Sequence, residues 1–404
     1  MIDILGELQK TNQPVDRHLR DWGRTHRFAG SKDRAAIGER IYAIQRRRAW
    51  LAWRMGSDAP RALVLGSLLD EGSVETLFNG SSYGPEALSS AERASIATPP
   101  SGEPPAHVRG EYPRFLESEL QRAFGDTLAD EMLALQVRAP ADLRVNMLKT
   151  TRDDLLSALL AEGYDAIETP LSPMGIRIAT GEAKLGRGPL FLSGAFEFQD
   201  EAAQIAALLC GAEPGMRVLD FAAGAGGKSL ALAALMENSG RIVATDVRAA
   251  ALTELERRAE RAGVTIIQPM PQADGLFDVV LLDSPCSGTG TWRRQPELRW
   301  RLTPARLEEL KSTQDMLLTS AKTHVKPGGR LVYATCSILP CENEDRVAAF
   351  LGSHSDFAAI PAADVWRESA GDTLPTGAGQ FFRASPYASG TDGFFTAVLQ
   401  RAPH

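Results

Sequence analysis

Cysteine is scarce: Cys210, Cys286, Cys336 and Cys341 are the four in a chain of 404 residues. That excludes a disulfide-stapled framework and leaves each thiol to be explained singly. Long apolar runs are missing too. No stretch approaches the ~20 residues that cross a bilayer, so no membrane partner is expected. The first residues, Met-Ile-Asp-Ile-Leu-Gly-Glu-Leu-Gln-Lys, lack the basic flank and apolar centre of a secretory signal. A reduced, cytoplasmic, monomeric protein is the expectation. An excess of positive charge is also absent. The net charge of −7 argues against a protein that coats DNA. No internal repeat and no metal site are read from the sequence.

What is present is unevenly placed. Residues 1–55 hold 12 Lys/Arg against 6 Asp/Glu, a local excess of +6 that leaves −13 for the remainder. A basic arm on an acidic body still suits a polyanion. Residues 1–80 read as helical, with Leu5, Leu8, Leu19, Trp22, Ile37, Ile41 and Ile44 at helix-like spacings. Arg46, Arg47 and Arg48 before Trp50 and Trp53 are either a phosphate-binding face or, slightly favoured, a solvated helix face with its tryptophans in the core. Residues 81–110 are rich in Ser, Gly and Pro and read as a linker. Residues 111–195 carry a helical piece over about 114–136, strand-like Asp142–Lys149, a helix capped by Thr151, and short strands at Ile176–Ala179 and Leu190–Leu192, the mix of a small α+β module. Arg144, Asn146 and Lys149 there either touch RNA or dock the module.

A βαβ series fills 196–404. Its strands are expected at Arg217–Phe221, Arg241–Thr245, Thr265–Gln268, Phe277–Asp283, Arg330–Ala334 and Phe394–Leu399. Ligands of such sheets sit at the carboxyl ends of the strands. The turn Ala222, Ala223, Gly224, Ala225, Gly226, Gly227 and Lys228 opens a helix, and Asp246 ends the next strand 18 residues beyond Lys228. Glycines let backbone approach a ligand closely, and an acid at that place can hold ribose hydroxyls. Alone, the turn is no more than a tight bend; the spacing is neither G-x-G-x-x-G nor a P-loop.

The thiols are more telling. Asp283-Ser-Pro-Cys286 follows one strand and Thr335-Cys336 follows the next, so adjacent strand ends bring both to one edge. A lone cysteine is usually an inert core residue, and Cys210 and Cys341 fit that description. Two thiols beside a carboxylate suit covalent catalysis. A thiolate added at carbon 6 of cytosine makes carbon 5 able to attack a sulfonium methyl. An acid at ring nitrogen 3, the role open to Asp283, stabilises the adduct. A helix starting near Pro340 would help Cys336 ionise if its N-terminus points there.

At these residues the chain resembles the RsmB/NOP/Sun family of S-adenosylmethionine-dependent RNA cytosine-5 methyltransferases. The likeness rests on Asp220 with Ala222–Lys228, Asp246, Asp283–Gly290, Tyr333-Ala-Thr-Cys336-Ser337, Pro340-Cys-Glu-Asn-Glu344 and Asp392-Gly-Phe-Phe395. It reaches back through Leu143–Asn146 and Phe198–Asp200, about the last two-thirds of the chain. It implies an α/β fold: a Rossmann-like class I methyltransferase domain, a small α+β RNA-binding module and a diverged NusB-like helical domain at 1–80. It implies that Cys336 attacks the base, Cys286 assists release, the glycine-rich turn and Asp246 hold S-adenosylmethionine, and Asp283 borders cofactor and base. The substrate implied is RNA, rRNA foremost, with its cytosine unpaired or flipped out of the stack.

Three departures stand out. Ala222-Ala-Gly-Ala replaces the family's Cys-Ala-Ala-Pro. The acid expected near the adenine is not evident, Gln268 sitting closest with Asp274 in the following turn. Asp-Ser-Pro-Cys replaces Asp-Ala-Pro-Cys. Thr291-Trp-Arg-Arg-Gln-Pro-Glu-Leu-Arg-Trp-Arg301, directly after the Pro-Cys turn, suits phosphate contacts and base stacking; the alternative is a loop anchored by Trp292 and Trp300 in the core. Two other functions compete: an RNA-binding or assembly protein without turnover, and a methyltransferase for DNA or a small molecule. The Thr-Cys thiol counts against DNA enzymes, which attack through Pro-Cys. The basic arm counts against a small metabolite.

Overall fold

Apolar strands buried on both faces set the architecture. The computed structural model describes every residue except 12, 73, 82–83, 180–181 and 372–378. Two compact units are present: Met1–Arg138 with Trp292–Pro304, and Ala139–Thr291 with Ala305–His404.

The second unit holds two sheets. Strands β1 (Ala141–Val145), β2 (Ala166–Glu168), β3 (Gly175–Ile178) and β4 (Phe196–Phe198) pair antiparallel in the order β2-β3-β1-β4. Strands β5 (Arg217–Asp220), β6 (Arg241–Thr245), β7 (Ile267–Met270), β8 (Phe277–Asp283), β9 (Val325–Thr335), β10 (Phe357–Ile360), β11 (Phe382–Ala384) and β12 (Phe394–Arg401) build the larger sheet. Its order is β10-β12-β9-β8-β5-β6-β7, with β11 on β12. Strands β5 to β9 are parallel and β12 returns antiparallel beside β9.

Period-two alternation feeds two cores. Val279 and Leu281 of β8 enter one with Val218, Ile242 and Val332. Val280 and Leu282 enter the other with Leu219, Val243, Leu331 and Tyr333. Each such side chain contributes roughly 1.5–3 kcal/mol on full burial, which is why continuous apolar runs rather than alternating ones mark these strands. The chain order reverses between β5 and β8, the crevice where open α/β sheets bind ligands.

Several expected elements shift. β9 starts at Val325 and takes in Lys326-Pro-Gly-Gly329, expected as the turn closing a helix. The excursion is absorbed as an irregularity between the Phe277–Val325 and Val279–Arg330 pairs. β7 runs two residues beyond its expected end. Leu190–Leu192, expected as a strand, lies in the short helix Pro189–Leu192, with proline at its first position where a missing N–H costs nothing. The helix expected from Pro340 is a 3-10 turn, Pro340–Glu342, before a helix Glu344–Ser353.

The helical unit differs from its expected bounds of 1–80. It continues to Arg138 and takes in Trp292–Pro304. The expected linker 81–110, of which 82–83 lie outside the described residues, contains helices Ser90–Ala97 and Ala106–Arg109. Ser89 and Glu92 form a reciprocal capping box, Arg61 pairs with Glu92 at 2.6 Å, and Leu88 is buried in the unit's core. The small antiparallel sheet begins at Ala141, and its last strand, β4, lies just past the expected boundary at 195. Among the described residues, no helix is long and apolar enough to cross a membrane.

Candidate active site

The glycine-rich turn leaves β5 at Asp220. Gly226 has φ +78°, and a Cβ there would lie 2.5 Å from Leu255 Cγ. Only glycine lets the turn sit this close to the helix Ala249–Ala262, which carries Leu255. The Gly224 N–H donates to Asp246 Oδ2 at 2.9 Å, so the turn and the carboxylate after β6 are one structure. Burial pushes Asp246 up, but hydrogen bonds from Arg248 and from the Arg248 and Gly224 backbone outweigh it and hold the carboxyl below its ordinary value. Asp220 Oδ2 accepts the Ser229 hydroxyl at 2.6 Å. Its Oδ1 is buried with no hydrogen-bond partner among the described residues. Burial lifts this carboxyl to about 6.

Lys228 does not point away to solvent. Its ammonium donates to Asp283 Oδ2 at 2.5 Å and lies 4.9 Å from the Phe394 ring centroid. Burial pulls the ammonium down, but Asp283, by charge and hydrogen bond, then Asp220 and Cys336, lift it above its ordinary value. The side chain expected only to hold the cofactor thus also tethers Asp283.

β8 and β9 are neighbours, with Asp283 opposite Ala334. The turns beyond them bring Cys286 Sγ and Cys336 Sγ to 3.4 Å. The Cys286 thiol is raised well above its ordinary value, first by its hydrogen bond with Cys336, then by burial and by the charge of Glu342. Cys210 is buried and its thiol pushed far up by burial, the inert residue expected. Cys341 is buried as well.

Three motifs converge behind the thiols. Gly290 N–H donates to Cys336 O and Gly393 N–H to Gly290 O, both at 2.9 Å. A Cβ on Gly290 would lie 2.0 Å from Gly393 O, so the two glycines allow the Asp392-Gly393 turn to lie flat on the Pro-Cys loop. Asp200 Oδ1 caps the helix Glu201–Leu208 and Oδ2 accepts the Asp392 N–H at 3.0 Å. Asn343 donates to Ser337 O at 2.9 Å, while Thr335 donates to Asn343 Oδ1 at 2.6 Å. Reading the sequence left Glu342, Asn343, Gln314 and Ser229 without roles. The place of Glu342 and Asn343 in Pro340–Glu344, and of Ser229 in the helix after the glycine turn, could have signalled three of them; Gln314, on the helix Pro304–Ala321, carries no such mark.

Residues offered to RNA prove structural in several places. Asn146 donates to Gly194 O and Ala262 O at 2.8 Å each. Lys149 donates to Ser193 O and Arg261 O at 2.6 Å each. Arg144 is buried and donates to Gln199 and to Gly227 O, tying the small sheet to the glycine turn. Trp292 and Arg299, expected on an RNA-contacting loop, are fully buried. Trp300 donates to Gln45 O at 3.0 Å, so this segment is the anchored alternative. Arg48 pairs with Asp58 at 3.3 Å and Arg46 donates to Arg293 O; both are half-buried rather than solvated, and Trp50 and Trp53 are half-buried rather than in the core. Gln268 is exposed opposite Val243, short of the strand end; Met270 stands there, opposite Thr245, and Asp274 is exposed beyond it.

Comparison with known proteins fits this geometry. Residues 207–400 match the family described as 16S rRNA methyltransferase RsmB/F. Residues 112–183 match the Methyltr_RsmF/B-like, ferredoxin-like domain. A probable ribosomal RNA small subunit methyltransferase B of Synechocystis sp. is 33% identical over 72% of this chain and 67% of its own length. The chain belongs to the RsmB/F family of rRNA methyltransferases. The ribosomal RNA small subunit methyltransferase B of Erwinia tasmaniensis is 33% identical over 71% of this chain and 66% of its own; the chain thus spans about two-thirds of these relatives' length. The crystal structure of PH0851 covers 99% of this chain and 97% of its own at 26% identity, with a TM-score of 0.78. RsmB/F methyltransferases depend on S-adenosylmethionine, and the fold is the Rossmann-like one expected, with its added module and helical unit.

Proposed function

We propose that this chain transfers the methyl group of S-adenosylmethionine to carbon 5 of a cytosine in small-subunit rRNA through a covalent adduct with Cys336. The observation that carries the proposal is the 3.4 Å approach of two thiols at adjacent strand ends, beside the Lys228–Asp283 pair, in a member of an rRNA methyltransferase family.

The residues present fit the cofactor. Asp220, with one buried oxygen lacking a partner, suits its ammonium group. Asp246 suits its ribose, and the glycine turn, Ala222 to Lys228, leaves room for close approach. When bound, S-adenosylmethionine supplies an electrophilic sulfonium methyl. Cys336 adds to carbon 6 as the thiolate, and its electron pair becomes the S–C bond. Negative charge moves to ring nitrogen 3, and Asp283 passes it the proton it shares with the Lys228 ammonium, which is returned when the adduct collapses. After methylation the carbon-5 proton leaves to solvent, the double bond re-forms and the S–C bond breaks. Cys286 then donates its S–H to the departing sulfur, the release role assigned to it. The cytosine must be unpaired or flipped to reach both thiols.

Bisulfite sequencing of small-subunit rRNA from a deletion strain and its parent tests the proposal. One cytosine protected in the parent should become convertible in the deletion; identical patterns would sink it. An assembly role without turnover predicts instead no heat on titration with S-adenosylmethionine.

Asp220 adds a pH dependence. Its carboxyl is held up at about 6 by burial, so below that pH a proton occupies the site meant for a cation. Cofactor binding must then displace the proton. The Kd for S-adenosylmethionine should be flat above pH ~7 and weaken by up to about tenfold per unit below ~6. Calorimetry from pH 5 to 8 reads this directly. Asp220→Asn should bind weakly with no such slope, and a sloping variant would remove Asp220 from the site.

A further inference from the structure

Each thiol is followed by a serine, Cys286-Ser287 and Cys336-Ser337, and one fully buried carboxylate receives both. Glu342 Oε1 accepts the Ser287 N–H at 2.8 Å and Gln314 Nε2 at 3.0 Å. Its Oε2 accepts the hydroxyls of Ser287 and, at 2.5 Å, Ser337. Thr289 lies 3.2 Å from one serine oxygen and 3.1 Å from the other. Gln314, on the helix Pro304–Ala321, also donates to Pro285 O at 3.0 Å. The Tyr333 hydroxyl donates to Glu342 O at 2.6 Å. A buried carboxylate with this many donors from separate elements is costly to dismantle, so it fixes the distance between the two turns.

The charge around the thiols is lopsided. Cys286 faces the Glu342 carboxylate, with the neutral Tyr333 phenol near it. Cys336 is the sulfur whose charge acts on the Lys228 ammonium, which Asp283 holds. Beyond them Arg346 and Asp315 pair at 2.6 Å and largely cancel. Glu342, which takes the N–H of the residue after Cys286, sets a negative charge by that thiol and favours S–H on it.

We propose that Glu342 is a positioning residue for methyl transfer, fixing the two thiols at bridging distance and keeping a proton on Cys286 so that Cys336 is the sulfur that attacks. The proposal rests on the adduct chemistry above. Cys336 gives its own proton to solvent, and its lone pair forms the bond to carbon 6. Cys286 keeps its S–H until that bond breaks, then donates it to the departing sulfur and regains a proton from solvent.

Alkylation of the cofactor-free protein by iodoacetamide across pH 6–10, read cysteine by cysteine by mass spectrometry, tests this. In the unaltered chain Cys336 should react at lower pH than Cys286; the reverse order would overturn the proposal without any variant. Glu342→Gln should move the Cys286 profile down by about one pH unit, tenfold in reactivity at a given pH. It should also lower kcat at least tenfold while leaving KM for S-adenosylmethionine and for a small-subunit rRNA transcript within twofold. Glu342→Asp, which keeps the charge but shortens the reach, should restore the Cys286 profile and not the full kcat. Unchanged profiles in Glu342→Gln, or a normal kcat, would overturn it. Alkylation uses neither RNA nor cofactor, so failure of the rRNA assignment leaves this readout standing.

Discussion

Replacing Cys336 by alanine is expected to cut methyl transfer by on the order of 10⁴-fold or more. Carbon 5 of cytosine is too poor a nucleophile to take a methyl group unaided, and the thiolate is what changes that. The neighbouring thiol should not take over. Cys286 hydrogen-bonds Cys336, is half-buried, and faces Glu342, all of which keep it protonated. Cofactor binding should survive, because the glycine turn, Asp220 and Asp246 are built from β5 and β6 and do not include this residue. Transfer of a labelled methyl group to an rRNA transcript measures the loss, and calorimetry with S-adenosylmethionine shows whether the fold is kept. Transfer at the normal rate with Cys336→Ala would remove the nucleophile assignment.

What could be read from residues alone was what local pattern encodes. Val279–Leu282 is apolar without interruption because both its faces are covered. The strand must then stop where Asp283 and Cys286 begin. The pairing of Pro-Cys with Thr-Cys predicted neighbouring strand ends, and the 3.4 Å separation follows from that register. The link between the glycine turn and Asp246 was likewise predictable, since one carboxylate after β6 had to face the turn after β5.

Other features depend on distant partners and leave no local mark. Glu342 looks like any acid on a helix, yet it is among the most buried polar residues of the chain. Its donors Ser287 and Gln314 come from 55 and 28 residues away. The segment after the Pro-Cys turn has the composition of an RNA-binding loop, but Trp300 bonds to a carbonyl 255 residues earlier. Arginine and tryptophan serve equally well on a nucleic acid and inside a protein. In the expected linker, the surrounding prolines and serines obscured a capping box that Ser89 and Glu92 state plainly.

Cys286→Ala should fail at the opposite end of the reaction. Attack by Cys336 needs the Lys228 side of the site, and that side is untouched. Departure of Cys336 from carbon 6 needs its sulfur to be stabilised as it leaves, and the S–H at 3.4 Å is the group placed to do so. Removing it should slow release by roughly 10²–10⁴-fold, the usual worth of a positioned proton donor. The adduct would then accumulate. Under turnover conditions with S-adenosylmethionine and an rRNA transcript, a protein–RNA species should survive denaturing electrophoresis and carry the methyl label. Cys336→Ala and the double variant should give none. The order of events therefore separates the two sulfurs more sharply than loss of activity does: a block before the bond forms leaves free RNA, and a block after it leaves RNA attached. Absence of the trapped species in Cys286→Ala, with turnover lost all the same, would mean that Cys286 acts before the adduct forms and that its S–H is needed to create the Cys336 thiolate.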